Sequence, residues 1–387
     1  MLVKNMANYM LNRKKIKVAY LLGSLNRGGA ETLILDVFKN ADKADYEMIG
    51  IHRKEGPYKT ELYATDPQWF CIAPKFAGDL SYFFKLRKLL QKEKVDIVHA
   101  QQSIDVIYAK IACLGTDIKI IQTFHGYDSD GGKGTKTIMQ KSAKLTDANI
   151  YVSETQKKYY LNLYQLQDDG TQFVVYNGIN FIKLDKTNDS LETELPRHNP
   201  DSIKLAMVGN FVAVRDHHTV CRFLKLLKEK EILFDFYFVG RRDNEQAELY
   251  DNCVKYCTEN GLSDCVHFLG SRNDVPQILK QIDAFIYSTD HDTFGIAIVE
   301  AIATGVPTFV NDWEVMKEIT NNGEWAILYQ TKNASDLYDK FINFVHNKEY
   351  YKQQACKHSQ EVRNTYSIEK HIQTLSNLYS ACNALNP

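Results

Sequence analysis

Apolar residues fall along this chain in two alternating rhythms. Short runs rich in strand formers are followed by stretches in which apolar positions recur every three or four residues, as on a helix with one buried face. The first run is Ile16–Leu22 (IKVAYLL); the loop GSLNRGG and the helical pattern AETLILDVFKN follow it. Runs at Tyr46–Ile51, Asp96–His99, Lys119–Thr123, Asn149–Val152 and Phe173–Tyr176 predict further strands, with helical patterns in most of the intervals. Strands that alternate with helices predict a mostly parallel sheet, because parallel neighbours need a long crossover and a helix supplies it.

The rhythm then stops and begins again. Leu184–Pro200 (LDKTNDSLETELPRHNP) is polar, carries two prolines and reads as a linker. Beyond it, Ile203–Val208, Phe234–Val239, Val266–Leu269, Ala284–Tyr287 and Pro307–Val310 predict a second set of strands. Val275–Gln281 and Ile296–Ala303 predict helices, the second stopped by Gly305. The expected fold class is α/β, with two Rossmann-like domains. A length of 387 residues suits two cores better than one. The expected boundaries are 1–183 for the N-terminal domain, 184–202 for the linker, 203–367 for the C-terminal domain and 368–387 for a final helix.

Charge and cysteine content narrow the class. Lys plus Arg number 47 against 48 for Asp plus Glu, so no global field favours nucleic acid, and any anion site must be local. The closest pair of cysteines, Cys253 and Cys257, has no second pair at zinc-ligand spacing, which predicts reduced thiols in a cytoplasmic protein. The segment MLVKNMANYMLNRKK is basic but lacks an apolar h-region, and no run approaches the roughly 18 apolar residues of a membrane span. The expectation is a chain neither exported nor membrane-spanning. Leu80–Lys94 sets Phe83, Leu86 and Leu90 on one helical face among Lys85, Arg87, Lys88, Lys92 and Lys94. A core-packed helix with a solvated basic face is the first reading; peripheral contact with a membrane surface is the alternative.

Candidate chemistry belongs in loops after strands, since ligands of open α/β sheets settle at the carboxyl ends and helix N-termini offer unpaired N–H groups. Four such loops stand out. Gly28-Gly29 lets backbone amides approach a phosphate. Gly209-Asn210-Phe211, with Arg215 beyond it, offers a guanidinium for a diphosphate, and Asp216 a helix cap. Asp292 and Glu300 flank the helix entry Thr293-Phe294-Gly295-Ile296, where carboxylates and amides suit a polyol. His125-Gly126 places an imidazole after the strand at Lys119–Thr123.

In series these pieces resemble the retaining nucleotide-sugar glycosyltransferases of the GT-B fold, in particular glycosyltransferase family 4. The resemblance runs from about Ile16 to the C-terminus. It rests on GGAE (Gly28–Glu31), DIVHA (Asp96–Ala100), TFHG (Thr123–Gly126), VSE (Val152–Glu154), YNGIN (Tyr176–Asn180), VGN (Val208–Asn210), FVG (Phe238–Gly240), HFLGSRNDVP (His267–Pro276) and above all DTFGIAIVEAIATGVP (Asp292–Pro307). It implies two domains with a donor cleft between them, acceptor on the first and donor on the second, and a final helix that crosses back to the first domain. It implies that Glu300 meets the nucleotide ribose, that Asp292 lies near the transferred sugar, and that the amides of Phe294, Gly295 and Ile296 hold sugar hydroxyls. Gly28 and Gly29 match the diphosphate loop, His125 a histidine near the donor sugar, and Ser271-Arg272 the stretch that meets the base.

The resemblance further implies transfer from a UDP- or GDP-sugar to a saccharide or lipid-linked acceptor in cell-surface polysaccharide synthesis, with retention at the anomeric carbon. No metal and no other cofactor is expected. Two positions depart from the family pattern. Asn210 stands where one of two diphosphate-binding cations is usual, leaving Arg215, and Asp292 replaces a glutamate. A same-fold nucleotide-sugar epimerase and a catalytically weak sugar-nucleotide-binding partner subunit are the alternative readings.

Overall fold

The structure is a computed structural model that describes residues 15–76, 78–127, 133–186 and 194–384. Positions 1–14 of the N-terminal segment read for export signals, 187–193 of the polar linker, and 385–387 after the final helix lie outside the described residues. The chain divides into two compact units, Met1–Gly178 with Ile368–Pro387, and Ile179–Ser367. No helix among the described residues is long and apolar enough to cross a membrane.

The first unit contains β1 (Lys17–Ser24), α1 (Gly29–Lys39), β2 (Glu47–Lys54), α2 (Lys59–Tyr63), β3 (Trp69–Cys71), α3 (Leu80–Lys92), β4 (Ile97–Ala100), α4 (Ser103–Ala112), β5 (Lys119–Phe124), α5 (Lys133–Leu145), β6 (Ala148–Tyr151), α6 (Glu154–Tyr164) and β7 (Gln172–Val174). The strands form one parallel sheet in the order β3-β2-β1-β4-β5-β6-β7. Its two faces carry separate cores because side chains alternate along each strand. Ala19 and Leu21 of β1 meet Leu86, Leu90 and Val106, whereas Val18 and Tyr20 meet Leu33, Val37 and the final helix, Ile368–Ala384. That helix belongs to this unit through Ile368, Ile372, Leu375 and Tyr379.

The polar atoms beneath the final helix satisfy one another. Tyr20 Oη lies 2.8 Å from Tyr46 Oη and 3.0 Å from Tyr379 Oη, while His99 lies 2.6 Å from Tyr379 Oη through Nδ1 and 2.7 Å from Thr123 Oγ1 through Nε2. Burial pushes the His99 pKa down to about 3 and those of His125 and His371 down to about 4. These imidazoles fold neutral and take up protons on unfolding, so their contribution is fully present above about pH 6.5 and is lost as pH falls toward 4. Asp105, raised by burial to about 6, works in the opposite sense by one proton. In the first unit these groups, three protons against one, give a slope on the order of 2 to 3 kcal/mol per pH unit near pH 5; in the second unit burial lowers His217 to about 4 and adds in the same sense. Thermal unfolding should therefore be nearly flat from pH 7 to 8 and drop steeply below 6; equal midpoints at pH 5 and 7.5 would contradict this.

The second unit contains α7 (Phe181–Asp185), β8 (Ile203–Val208), α8 (His217–Glu229), β9 (Phe234–Val239), α9 (Ala247–Glu259), β10 (Val266–Gly270), α10 (Val275–Gln281), β11 (Ala284–Tyr287), α11 (Ile296–Ala303), β12 (Thr308–Asn311), α12 (Glu314–Ile319), β13 (Ile327–Tyr329), α13 (Ala334–His346) and α14 (Lys348–Tyr366). Its parallel sheet runs β10-β9-β8-β11-β12-β13. Residues from the C-terminal part of the expected linker dock on it: Leu195 is buried, Tyr237 Oη donates to the Pro196 carbonyl at 2.7 Å, and the His198 amide donates to Asp235 Oδ1 at 2.8 Å.

Both sheets place their first strand centrally and send the chain out in opposite directions from it. The order reverses between β1 and β4 in the first unit and between β8 and β11 in the second. At such a reversal the adjoining loops diverge, leaving a crevice at the carboxyl ends of the strands.

Candidate functional site

In the second unit, the loops after β8 and β11 bring together residues far apart in sequence. Arg215 and Thr289 form an antiparallel bridge, and the Asp290 amide donates to the Val214 carbonyl at 3.0 Å. The Arg215 side chain is fixed on three sides. Nη1 donates to Asp292 Oδ2 at 2.6 Å and to Thr289 Oγ1 at 3.3 Å, and the guanidinium carbon lies 5.1 Å from the centre of the Tyr287 ring. Burial works against its charge, but Tyr287 and Asp292 outweigh it and raise the Arg215 pKa. Part of the group remains accessible, with 21% of the side chain exposed. A charge held this way needs little reorganisation when an anion arrives.

Asp292 is the hub of this corner. Besides Arg215, its Oδ2 accepts from Tyr287 Oη at 3.0 Å, and its Oδ1 accepts from the amides of Thr293 at 2.9 Å and Phe294 at 3.5 Å. The Phe294 amide, expected to hold a sugar hydroxyl, is thus engaged by an aspartate short enough to fold back onto the turn. The Phe294 ring is buried and meets Tyr366 edge-on. Gly295 follows at φ +94°, a conformation that L side chains rarely adopt, and lets the chain turn directly into α11. On that helix Ile298, Val299, Ala301 and Ile302 are buried, while Ile296 and Glu300, one turn apart, are half-exposed.

The remaining predicted residues of this unit hold its loops together. Asn210 Oδ1 accepts from the Arg241 amide at 2.9 Å, tying the loops after β8 and β9. Those loops approach so closely at Gly240 that an added Cβ would overlap the Gly209 carbonyl. Asp216 caps α8, accepting from the Thr219 amide at 3.0 Å. Arg272, expected to meet the base, makes a two-pronged ion pair with Asp274 at 2.7 and 2.6 Å; Ser271 beside it is exposed.

In the first unit Gly28 and Gly29 begin α1, and no side chain caps that helix. The Glu31 carboxylate lies beside them: a Cβ added to Gly28 would be 2.5 Å from its Oε2. Burial raises the Glu31 pKa. An anion settling on this loop must displace Glu31 or meet it protonated. Nearby, at the ends of β4 and β5, lies a cavity of about 410 Å³ lined by Ala30, Gln101, Gln122, His125, Tyr127 and Met139 among others. His125 Nε2 lies 2.8 Å from Gln101 Oε1, and Gln101 Nε2 donates back to the His99 carbonyl at 3.4 Å. With its pKa near 4, His125 is a neutral hydrogen-bonding group at neutral pH and not a cation.

Sequence reasoning did not single out Tyr287, Thr289 or Asn311. Asn311 exchanges two hydrogen bonds with the Thr289 backbone, at 2.9 and 2.8 Å, and so anchors the residue that holds Arg215. No local spacing encodes that contact, which lies between neighbouring strands.

Comparison with known proteins agrees with this architecture. Residues 192–359 match the family described as Glycosyl transferases group 1, and residues 27–181 match Glycosyltransferase Family 4. The UDP-Gal:alpha-D-GlcNAc-diphosphoundecaprenol alpha-1,3-galactosyltransferase of Escherichia coli is 24% identical over 380 residues, covering 94% of this chain and 97% of its own. The N,N'-diacetylbacillosaminyl-diphospho-undecaprenol alpha-1,3-N-acetylgalactosaminyltransferase of Campylobacter jejuni is 26% identical, covering 67% of this chain and 70% of its own. Among solved structures, Anabaena HepE in complex with UDP and glucose aligns with a TM-score of 0.81 at 18% identity, over 95% of this chain and 100% of its own. A glycosyltransferase from Rickettsia africae aligns at 0.82 and 19% identity, over 96% and 100%.

Proposed function

Since the chain belongs to the group 1 glycosyltransferases of GT-B fold, we propose that it moves a sugar from a nucleoside-diphosphate donor to a hydroxyl of a lipid-linked saccharide, with retention and without a metal. The observation that carries this reading is Arg215, pinned at the β8/β11 reversal by Asp292 and Thr289 with its charge still partly accessible. As the sugar–phosphate bond breaks, positive charge grows on the sugar and negative charge on the departing diphosphate. Arg215 and the amides at the start of α11 stabilise the latter. Countercharge from an arginine and backbone dipoles, in place of paired carboxylates that hold a divalent ion, supports metal-independent chemistry.

Glu300, half-exposed on α11, suits a ribose diol, and the Ser271 loop suits the base. Neutral His125 in the first unit suits a sugar hydroxyl rather than proton transfer. UDP is the favoured nucleotide because it occupies the Anabaena HepE structure, with GDP second. The diphosphoundecaprenol-linked acceptors in the names of the Escherichia coli and Campylobacter jejuni relatives favour a similar acceptor here, and hence work at the cytoplasmic face of a membrane.

Calorimetric titration of UDP-, GDP- and ADP-sugars in EDTA tests the donor assignment. Saturable binding of a UDP-sugar, weakened in Glu300→Ala, is expected; an absolute metal requirement for binding would overturn the metal-free reading.

Asp292 acts in this account by orienting Arg215. Asp292→Ala should lower kcat about a hundredfold, the scale of a 1 Å misplacement. Asp292→Asn keeps one acceptor oxygen, enough to receive Arg215 or the Thr293 amide but not both, and should lose less than Asp292→Ala. If instead Asn and Ala are equally impaired, a single acceptor facing Arg215 contributes nothing and the orienting role is wrong.

A further inference from the structure

The apolar face of α3 that the sequence pattern singles out turns inward: Leu86 and Leu90 are buried, and Phe83 packs edge-on against Tyr82 and Tyr108. The outer face is the unexpected one. Leu80 and Phe84, one turn apart, are 69% and 71% exposed, and Phe76 just before the helix is 66% exposed. Lys88 continues the same line, and Lys85 and Lys92 are exposed beside it. Among the described residues of α3 no carboxylate lies on this face before Glu93. α3 itself contains no acidic residue and Asp79 at its start is buried; Glu93 at its end lies 3.3 Å from Lys17 and 3.8 Å from Lys92, so the uncompensated charge of the face is that of Lys85 and Lys88. Scattered single apolar residues are normal on a surface; three of them two-thirds exposed within nine positions are not.

We propose that this face docks the first unit onto an anionic lipid bilayer, Phe76, Leu80 and Phe84 entering the headgroup–acyl boundary while Lys85 and Lys88 neutralise the headgroups. The inference rests on the lipid-linked acceptor reading for its purpose, but not for its evidence. Charge decides between occupants. The core of a protein–protein interface is depleted in lysine, whereas lysines around large apolar tips are the pattern of helices that lie in a membrane surface. A chain with a net charge of −1 has no general attraction to anionic membranes, so the attraction must come from this local patch.

Co-sedimentation with vesicles of phosphatidylglycerol and phosphatidylethanolamine, against phosphatidylcholine alone, tests this on the full chain without any substrate. The parent should bind the anionic vesicles and release in high salt. Leu80→Ser with Phe84→Ser should lose about tenfold in affinity per side chain, and Lys85→Glu or Lys88→Glu about fivefold each or more. These exposed residues lie outside the proposed donor site, so turnover of a water-soluble acceptor analogue should be unchanged, while turnover of a vesicle-embedded acceptor falls. Failure to bind anionic vesicles, or equal binding by the serine double variant, overturns the docking face whether or not the chain transfers sugar. Concentration-dependent self-association that the double variant abolishes, without vesicle binding, would assign the face to a second copy and also overturn the proposal. Vesicle binding in the absence of any transfer would leave the docking face standing and refute the acceptor reading alone.

Discussion

Arg215→Ala is expected to lower kcat for sugar transfer by about 10²- to 10³-fold, the scale of losing one preorganised donor to a developing oxyanion. Two effects combine. The departing diphosphate loses a cation already in place, and Asp292, with only 12% of its side chain exposed, loses its charged partner. Removing one member of a largely buried pair costs up to about 3 to 5 kcal/mol, an upper bound here because both groups keep some solvent contact. Arg215→Lys keeps the charge but not the planar guanidinium set against the Tyr287 ring with Nη1 placed on Asp292 and Thr289, so it should recover only part of the rate. Double variants decide how the loss divides. If Arg215 acts through its charge on the diphosphate, Arg215→Ala with Asp292→Ala should be no more than slightly slower than Arg215→Ala alone. Full additivity of the two losses would contradict a shared role.

Gly240→Ala should be the most damaging small change in the second unit. The added methyl would overlap the Gly209 carbonyl and lie 2.6 Å from its carbon and 3.1 Å from the Asn210 nitrogen, all backbone atoms without rotamers to yield. Overpacking of this kind costs about 3 kcal/mol or more, which in a unit of this size lowers the unfolding midpoint by roughly 6 to 12 °C. The loops after β8 and β9 must separate to admit it, breaking the bond from the Arg241 amide to Asn210 and shifting the segment that carries Arg215. Donor affinity should fall together with stability. A variant that melts within about 1 °C of the parent would mean that the loops are looser than this packing implies.

The sheet organisation was legible because it follows from burial. The predicted spans Ile203–Val208, Phe234–Val239 and Ala284–Tyr287 are observed as strands without change, as are Ile296–Ala303 and Val275–Gln281 as helices; burial through Phe234–Val239 and Ala284–Tyr287, and the Gly305 stop after Ile296–Ala303, leave those little freedom. The edge strands Trp69–Cys71 and Ile327–Tyr329 were not legible; three residues give no period to read. Where each sheet reverses was also accessible, because the restart of the pattern locates both first strands. What each side chain does there was not. Arg215 and Asp292 stand 77 positions apart, and their pairing depends on the β8/β11 register. Arg272 pairs locally with Asp274, and Glu31 folds over the glycine loop. A motif marks these positions without saying which charges already satisfy one another. The outer stripe of α3 was hidden for a related reason: Phe83 and Phe84 are adjacent, and only packing decides which of the two turns inward.

The most direct test of the central claim is to follow transfer itself by NMR, with a UDP-sugar and a diphospholipid-linked saccharide in the presence of EDTA. The account predicts a new glycosidic linkage with the anomeric configuration of the donor, UDP released in equal amount, and no dependence on added metal. Inversion of configuration, or no transfer from any UDP- or GDP-sugar under conditions in which the donor binds, would contradict it.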